Sequence, residues 1–178
     1  DKQWGPGADL ADAWFGQGRA WYASGAKAGT DIGEFENPLD VALIPAKEGT
    51  GFAVLDVTNR VQVFDTEGRP IRSWNLSVTK QASPGLGGQG YLVYLPKTKS
   101  LMAIVQNQAR VHNLEGEELY AFSIEDGVPR AAIADPRGHV LLGYRDQVVR
   151  YHTEGFRFGT IITTDQIGVG HEDLSLIH

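Results

Sequence analysis

The cluster of residues best suited to chemistry is His171-Glu172-Asp173. A histidine beside carboxylates is the combination that acid–base catalysis and metal binding use. Adjacent residues of a strand point to opposite faces, so at most His171 and Asp173 share one face. The alternative is a solvated loop that precedes a strand. We take His171 and Asp173 as candidate binding residues and predict neither a catalytic residue nor a metal ligand.

The other chemical groups do not form a recognisable site in the sequence. We expect the five histidines not to converge on one ion, because His112 and His152 lie at or beside turns near the rim and His139 follows a different turn. The chain has no cysteine, which excludes disulfides, thiolate nucleophiles and iron–sulfur clusters. The glycine-rich run 85–90 precedes no helix that would hold a phosphate, and we interpret it as a connector. We predict no cofactor.

The charge balance limits the classes of partner. Sixteen Lys and Arg against 22 Asp and Glu give 16 − 22 = −6, so a nucleic-acid surface is not expected. A hydrophobic content of 42% with 21% charged residues indicates a folded domain. No apolar run approaches the roughly 18 residues of a membrane span. The missing initiator Met and missing cysteines slightly favour an exported or periplasmic protein, and the compartment stays open.

Short alternating apolar segments separated by turn residues must position any site in this chain. Examples are Phe52-Ala-Val-Leu55, Tyr91-Leu-Val-Tyr-Leu95 and His139-Val-Leu-Leu142. Alternation with period two is typical of strands, and no stretch keeps a helical period for ten residues. The sequence therefore predicts an all-β protein.

The strands recur as a repeat of four. Each of three segments has an apolar strand ending at a proline, a second strand, a polar link, a third strand, a turn ending in glycine, and a fourth strand. The prolines Pro45, Pro96 and Pro136 are 51 and 40 residues apart, and the glycines Gly68, Gly116 and Gly155 are 48 and 39 apart. Four antiparallel strands at this spacing are typical of a β-propeller blade.

The turn glycines have a geometric explanation. A type I turn followed by a left-handed residue prefers Asp or Asn at its first position and glycine where φ is positive. Asp65-Thr-Glu-Gly68 and Asn113-Leu-Glu-Gly116 fit this pattern, and Asp135-Pro-Arg-Gly138 supplies it between two other strands. We predict that these glycines shape turns.

The first repeat resembles a known family. Gly33-Glu-Phe-Glu-Asn-Pro38 and Phe52-Ala-Val-Leu-Asp-Val-Thr-Asn-Arg-Val-Gln-Val-Phe-Asp65 are similar to the "GxFxxP" and "VxVxDxxNxRIQxFDxxG" patterns of the NHL repeat. Asp56, Asn59 and Arg60 stand at the Asp, Asn and Arg of that pattern. The resemblance covers residues 29–165, and in the later repeats Gln108 and Gln147 replace Arg60. It implies a propeller, which in this family usually has six blades.

The repeat also predicts how the chain is organised. We expect one propeller domain or portion over 1–178, with blades at 36–76, 84–124 and 127–165, the outer strand of a neighbouring blade within 1–28, and the start of a further blade at 166–178. Three explanations stay open: an excerpt of a longer propeller, a subunit whose open side packs on itself or on a complex, and an irregular ring of four blades closed by both termini.

The face formed by the loops between blades and by the links between second and third strands is the predicted binding surface. Its candidate residues are Asp56, Asn59, Arg60, Asn107, Arg130 and Arg145. Mixed charge with amides suits a protein-binding rim. Trp4, Trp14 and Trp21 suggest that the N-terminal segment docks on a partner or across an open edge. We predict a non-catalytic binding or assembly module with a protein partner or self-association; the alternative is a metal-dependent propeller hydrolase or lyase with ligands partly outside this chain.

Overall fold

Twelve strands make up the regular structure in the computed structural model, which describes residues 29–45, 51–77, 90–135 and 137–163. They form three antiparallel sheets of four strands, each with its strands in sequence order. No helix is present in these ranges, and none there is long and apolar enough to cross a membrane. The all-β class predicted from the alternation is therefore confirmed.

The strand bounds follow the predicted repeat closely. Sheet 1 contains β1 (Pro38–Leu43), β2 (Phe52–Asp56), β3 (Arg60–Phe64) and β4 (Pro70–Asn75). Sheet 2 contains β5 (Gly90–Leu95), β6 (Ser100–Val105), β7 (Gln108–Asn113) and β8 (Glu118–Ser123). Sheet 3 contains β9 (Ala131–Ala134), β10 (His139–Gly143), β11 (Gln147–His152) and β12 (Arg157–Thr163).

The turns between third and fourth strands have the predicted geometry. Gly68, Gly116 and Gly155 have φ values of 79°, 91° and 96°, where glycine avoids the strain of a side chain. In the first of these turns Asp65 accepts the amide of Glu67 through its side chain, and Asn113 accepts the amide of Glu115 in the second. Gly138 has a φ of 89° and closes the predicted turn between β9 and β10.

The sheets stack face to face and bury two apolar cores. The core between sheets 1 and 2 includes Leu55 and Val63 from the first sheet and Leu101 and Ala103 from the second. The core between sheets 2 and 3 includes Met102 and Ile104 with Val149 and Tyr151. Sheet 2 is therefore buried on both faces, as the uninterrupted burial of β6 also shows.

One aromatic residue of β4 and one of β8 pack on the turn glycine of the following sheet. A Cβ added to Gly116 would lie 3.0 Å from the Trp74 ring, and one added to Gly155 would lie 2.7 Å from the Phe122 ring. Real Cβ atoms essentially never approach a heavy atom more closely than 3.0 Å. Gly155 is thus needed both for the turn and for the contact between sheets, whereas at Gly116 the Trp74 ring would have to give by a few tenths of an ångström to admit a Cβ.

Candidate functional site

The links between second and third strands lie at one end of the sheets, beside the loops that lead into each sheet. Backbone hydrogen bonds hold them there: Leu76 N donates to Asn59 O at 2.8 Å, Ile124 N to Asn107 O at 2.7 Å, and Arg130 N to Gly143 O at 2.7 Å. We call this end the link face and define it by Asn59, Gln106, Asn107, Arg130, Arg145 and Asp146. The arrangement brings candidate residues of all three sheets to the same end.

Asp56 and Arg60 lie inside the protein rather than on the surface of the link face. Their relative exposures are 0% and 6%, and Arg60 Nη2 lies 3.0 Å from Asp56 Oδ2. Asp56 also accepts hydrogen bonds from the amide and hydroxyl of Thr58. A buried charge is tolerated when it is paired and hydrogen-bonded, which is the case for both residues. Their role in binding a partner stays a prediction.

The Arg60 guanidinium holds the loop that precedes β1. It donates to the backbone carbonyls of Gly29 at 3.1 Å, Asp31 at 3.3 Å and Glu34 at 2.6 Å, and also to that of Thr30. Gln62 acts in the same place: its amide nitrogen donates to Glu34 O at 2.6 Å, and its oxygen accepts the Gly33 amide at 2.9 Å. Residues 29–34 are therefore fixed to sheet 1 by two side chains of β3.

Asn59 occupies the last position of the link between β2 and β3. Its φ is 63°, a left-handed conformation that Asn adopts more readily than most residues. The side chain is 4% exposed, and Oδ1 is buried without a hydrogen-bond partner in the described part of the chain. Its geometry explains the Asn at this position, and its role in binding stays a prediction.

Asn107, Arg130 and Arg145 are the exposed candidates of the link face. No side-chain hydrogen bond or ion pair is present for Arg130 or Arg145 among residues 29–45, 51–77, 90–135 and 137–163. Their guanidinium groups thus face solvent on one side of the molecule. The remaining candidates, His171 and Asp173, lie outside the described residues, as do the tryptophans at positions 4, 14 and 21 and the predicted strands within 1–28 and 166–178.

Two histidines that the sequence separates are neighbours in the structure. His139 and His152 are directly paired across β10 and β11, and their ring centroids lie 6.1 Å apart. The register brings them together because the turns that flank the two residues lie at the same end of sheet 3. Within the ranges that the structure describes, no group of three or more His, Asp or Glu is arranged to hold a metal ion.

His112 lies apart from this pair. Its ring is buried beside Trp74, with a centroid distance of 5.7 Å. Burial lowers the pKa of its imidazole because the charged form loses solvation, and the nearby Glu118 partly opposes this shift. This histidine is therefore part of the packing between sheets 1 and 2.

A polar cluster at the junction of sheets 2 and 3 has no counterpart in the sequence analysis. Asp126 accepts the hydroxyl of Tyr151 at 2.6 Å and the Arg157 guanidinium at 2.8 Å and 3.1 Å. The hydrogen bonds from Arg157 lower the pKa of Asp126, whereas burial raises the pKa of Tyr151 to about 12. These residues are separated by 25 and 31 positions from Asp126, and no local motif links them. The cluster fastens the loop after β8 to sheet 3.

A cavity of about 710 Å³ runs along the first strands of the three sheets. Its lining is mostly apolar and includes Leu43, Tyr94 and Ile133, and Asp135 adds a carboxylate. The first strands β1, β5 and β9 are thus neighbours around a common space, as the inner strands of a propeller are. No local pattern in the sequence predicts this cavity.

Comparisons with known proteins identify the fold. The sequence matches no protein-family model and no curated protein. A crystal structure of selenomethionine-substituted virginiamycin B lyase from Staphylococcus aureus is similar to this chain, with a TM-score of 0.53 and 16% sequence identity. The similarity covers 72% of this chain and 42% of that chain, so this chain spans less than half of its neighbour's length. The neighbour is a β-propeller, and the predicted propeller class is confirmed.

Proposed function

We propose that this chain is an NHL-like propeller portion that acts as a non-catalytic binding or assembly module. The observation that carries the proposal is the pair of exposed guanidinium groups, Arg130 and Arg145, on the same end of the sheets as Asn107. Arginine presents several donors in a rigid fork, which makes it suited to planar acceptors on another protein. The module docks through the link face.

The proposed likeness to the NHL repeat rests on residues of sheet 1. Asp56, Asn59 and Arg60 occupy the family's positions and together hold the link and the loop before β1. In this proposal they shape the link face, while the exposed residues of sheets 2 and 3 contact the partner. The proposed blades are 36–76, 84–124 and 127–165, with a further blade starting at 166–178.

The chemistry of the link face favours a protein partner with carboxylates. Two exposed guanidinium groups, which form no ion pair with the described residues, lie on this end of a chain whose net charge is −6. The overall negative charge disfavours nucleic acid, which needs a broad excess of Lys and Arg. Carboxylates paired with Arg in a bidentate geometry give both affinity and orientation.

A charge-reversal experiment tests the proposal. The double variant Arg130→Glu/Arg145→Glu is compared with Arg72→Glu/Arg137→Glu, which reverses two exposed arginines away from the link face. Proteins that co-purify with the tagged full chain are quantified by mass spectrometry, and thermal unfolding checks that both variants fold. We expect the first variant to lose a partner that the second retains. Equal retention by both variants contradicts a role for the link face.

The alternative function is that of a metal-dependent propeller hydrolase or lyase. It is favoured only by the structural neighbour, a virginiamycin B lyase, whose 16% identity supports the fold and not the activity. His171 and Asp173 are the residues of this chain that would contribute to such a site. Elemental analysis of the purified full chain distinguishes the two functions: stoichiometric calcium or zinc supports the alternative, and a metal-free complex with a partner supports the binding module.

A further inference from the structure

Sheet 3 has an apolar face that no described residue covers. Val140, Leu142, Val149 and Tyr151 are buried against sheet 2. Neighbouring residues of a strand point to opposite faces, so Leu141, Val148 and Arg150 lie on the other side. Ile133, Phe158 and Ile162, which are 64%, 60% and 40% exposed, extend this surface. We call it the open face and define it by Ile133, His139, Leu141, Val148, Arg150, His152, Phe158 and Ile162.

The open face contains residues that correspond in position to those through which sheets 1 and 2 pack on the next sheet. In each sheet, the residue seven positions before the turn glycine is paired with a residue of the fourth strand. The pairs are Val61 with Trp74, Ala109 with Phe122, and Val148 with Ile162. The first two pairs pack on the next sheet. Sheet 3 has the apolar side chains of this interface without its occupant in the described ranges.

Arg150 is a charged residue at a position that is apolar in the other two sheets. It stands five residues before its turn glycine, where sheets 1 and 2 have the buried residues Val63 and Val111. The Arg150 Nε atom is buried, and no described residue forms a hydrogen bond with it. A buried guanidinium nitrogen without a partner favours an occupant of the open face that provides a carboxylate or carbonyl oxygen.

Residues 164–178 have the matching chemistry. They contain three acidic residues, Asp165, Glu172 and Asp173, and neither Lys nor Arg. In an extended conformation Glu172, Leu174 and Leu176 point to one side, which combines one carboxylate with two aliphatic side chains. The segment also follows directly on β12, at the margin of the open face.

Residues 164–178 are long enough to cross the open face. The open face spans four strands, and three spacings between strands amount to about 14 Å. Fifteen extended residues reach about 50 Å, so the segment has enough length to cross the sheet to Ile133 on β9. We propose that residues 164–178 dock across the open face of sheet 3, with Glu172 at Arg150 and the two leucines against the apolar side chains.

Engineered disulfides in the full chain test this docking. The protein has no cysteine, so each introduced pair reports only its own contact. Ile133→Cys is combined in turn with cysteine at 173, 174, 175 and 176, and the control combines Ile71→Cys, on an exposed side chain of sheet 1, with the same positions. Under mild oxidation we expect disulfides within one chain at 174 and 176, and loss of this product at 173 and 175 and in the control.

The other outcomes contradict the proposal. Disulfides only between chains would assign the open face to a second copy, and no preference over the Ile71 control would leave the segment undocked. A charge exchange adds a second readout: Arg150→Glu is expected to lower the yield of the bridge between 133 and 174, and Glu172→Lys in the same chain to restore it. Failure of the exchange to restore the yield in a folded protein overturns the pairing of Glu172 with Arg150. None of these results depends on the partner of the link face.

Discussion

Arg60 Nη2 lies 3.0 Å from Asp56 Oδ2 inside the protein, and the same guanidinium binds backbone carbonyls of the loop that precedes its sheet. The pair therefore connects two parts of the chain that are about thirty residues apart. A second Asp–Arg pair with the same spacing, Asp65 and Arg69, lies at the surface in the following turn. A comparison of the two pairs separates the effect of burial on stability from the effect of sequence spacing.

We expect Arg60→Leu to destabilise the protein by about 3–5 kcal/mol, because it leaves the buried Asp56 carboxylate without its cation. Arg69→Leu removes an exposed ion pair of equal spacing and should change stability little. Denaturant unfolding followed by tryptophan fluorescence measures both. Equal effects of the two substitutions would show that the buried Arg60 pair stabilises the protein no more than the exposed pair does.

Gly155→Ala tests the contact between the turn and the preceding sheet. The new Cβ would lie 2.7 Å from the Phe122 ring, in addition to the strain of a φ of 96°. Gly127→Ala is the matched control, because its φ is 91° and no atom lies within 4 Å of the new Cβ. We expect a loss of about 1–3 kcal/mol for the control from backbone strain alone, and a larger loss for Gly155→Ala. Similar losses in thermal unfolding would rule out a packing role for this glycine.

The burial of His112 predicts a dependence of stability on pH. Its pKa in the folded protein lies below the ordinary value of 6.5, so the unfolded chain binds the proton more readily. The stabilisation is present above pH 6.5 and is lost as the pH falls toward the lower folded pKa. Sheet 1 has Phe64 at the position of His112. His112→Phe should therefore remove this contribution to the dependence of stability on pH below 6.5, as measured by urea unfolding. His152→Gln should leave the His112 contribution in place.

Tyr151→Phe removes a hydrogen bond to a charged acceptor, the Asp126 carboxylate. Such a bond contributes about 1.5–3 kcal/mol, and we expect a loss of that order. Tyr144→Phe is the control, because the buried hydroxyl of Tyr144 has no hydrogen-bond partner in the described residues and its removal should be neutral or stabilising. Chemical denaturation of the two variants gives the comparison, and a loss for Tyr144→Phe as large as that for Tyr151→Phe would contradict it.

The same tyrosine predicts behaviour at alkaline pH. Its folded pKa of about 12 exceeds the ordinary value of 10.0, so its contribution to stability is complete below pH 10 and is lost as the pH rises toward 12. Absorbance of tyrosinate should show that Tyr151 ionises later in the folded protein than in urea. Ionisation at the ordinary pKa in the folded state would contradict the burial of its hydroxyl.

Sequence reasoning predicts the sheets well because their signals are local. The turns at Gly68, Gly116 and Gly155 each need a positive φ, and the turn chemistry is present in four consecutive residues. The strands between them alternate in hydrophobicity, so their bounds differ from prediction by only a few residues. Fold class follows from these local signals and their spacing.

The placement of the candidate site is harder to predict because it depends on contacts distant in sequence. Arg60 is a charged residue at the start of β3, and only the packing of loop 29–34 over sheet 1 explains its burial. His139 and His152 meet through a strand register that their individual turns do not specify. Asp126 and Arg157 come together only once sheets 2 and 3 are assembled. Arg130 and Arg145 remain exposed, in agreement with their placement in loops.

The contacts of Trp74 on Gly116 and of Phe122 on Gly155 give the fold a linear, nearest-neighbour character. Adjacent sheets pack through an apolar core and through one aromatic side chain that lies on one turn of the next sheet. Stability in such an array is approximately a sum of single-unit and adjacent-pair contributions. A gene duplication that copies one unit, with both its aromatic residue and its glycine turn, would therefore insert a compatible sheet into the array.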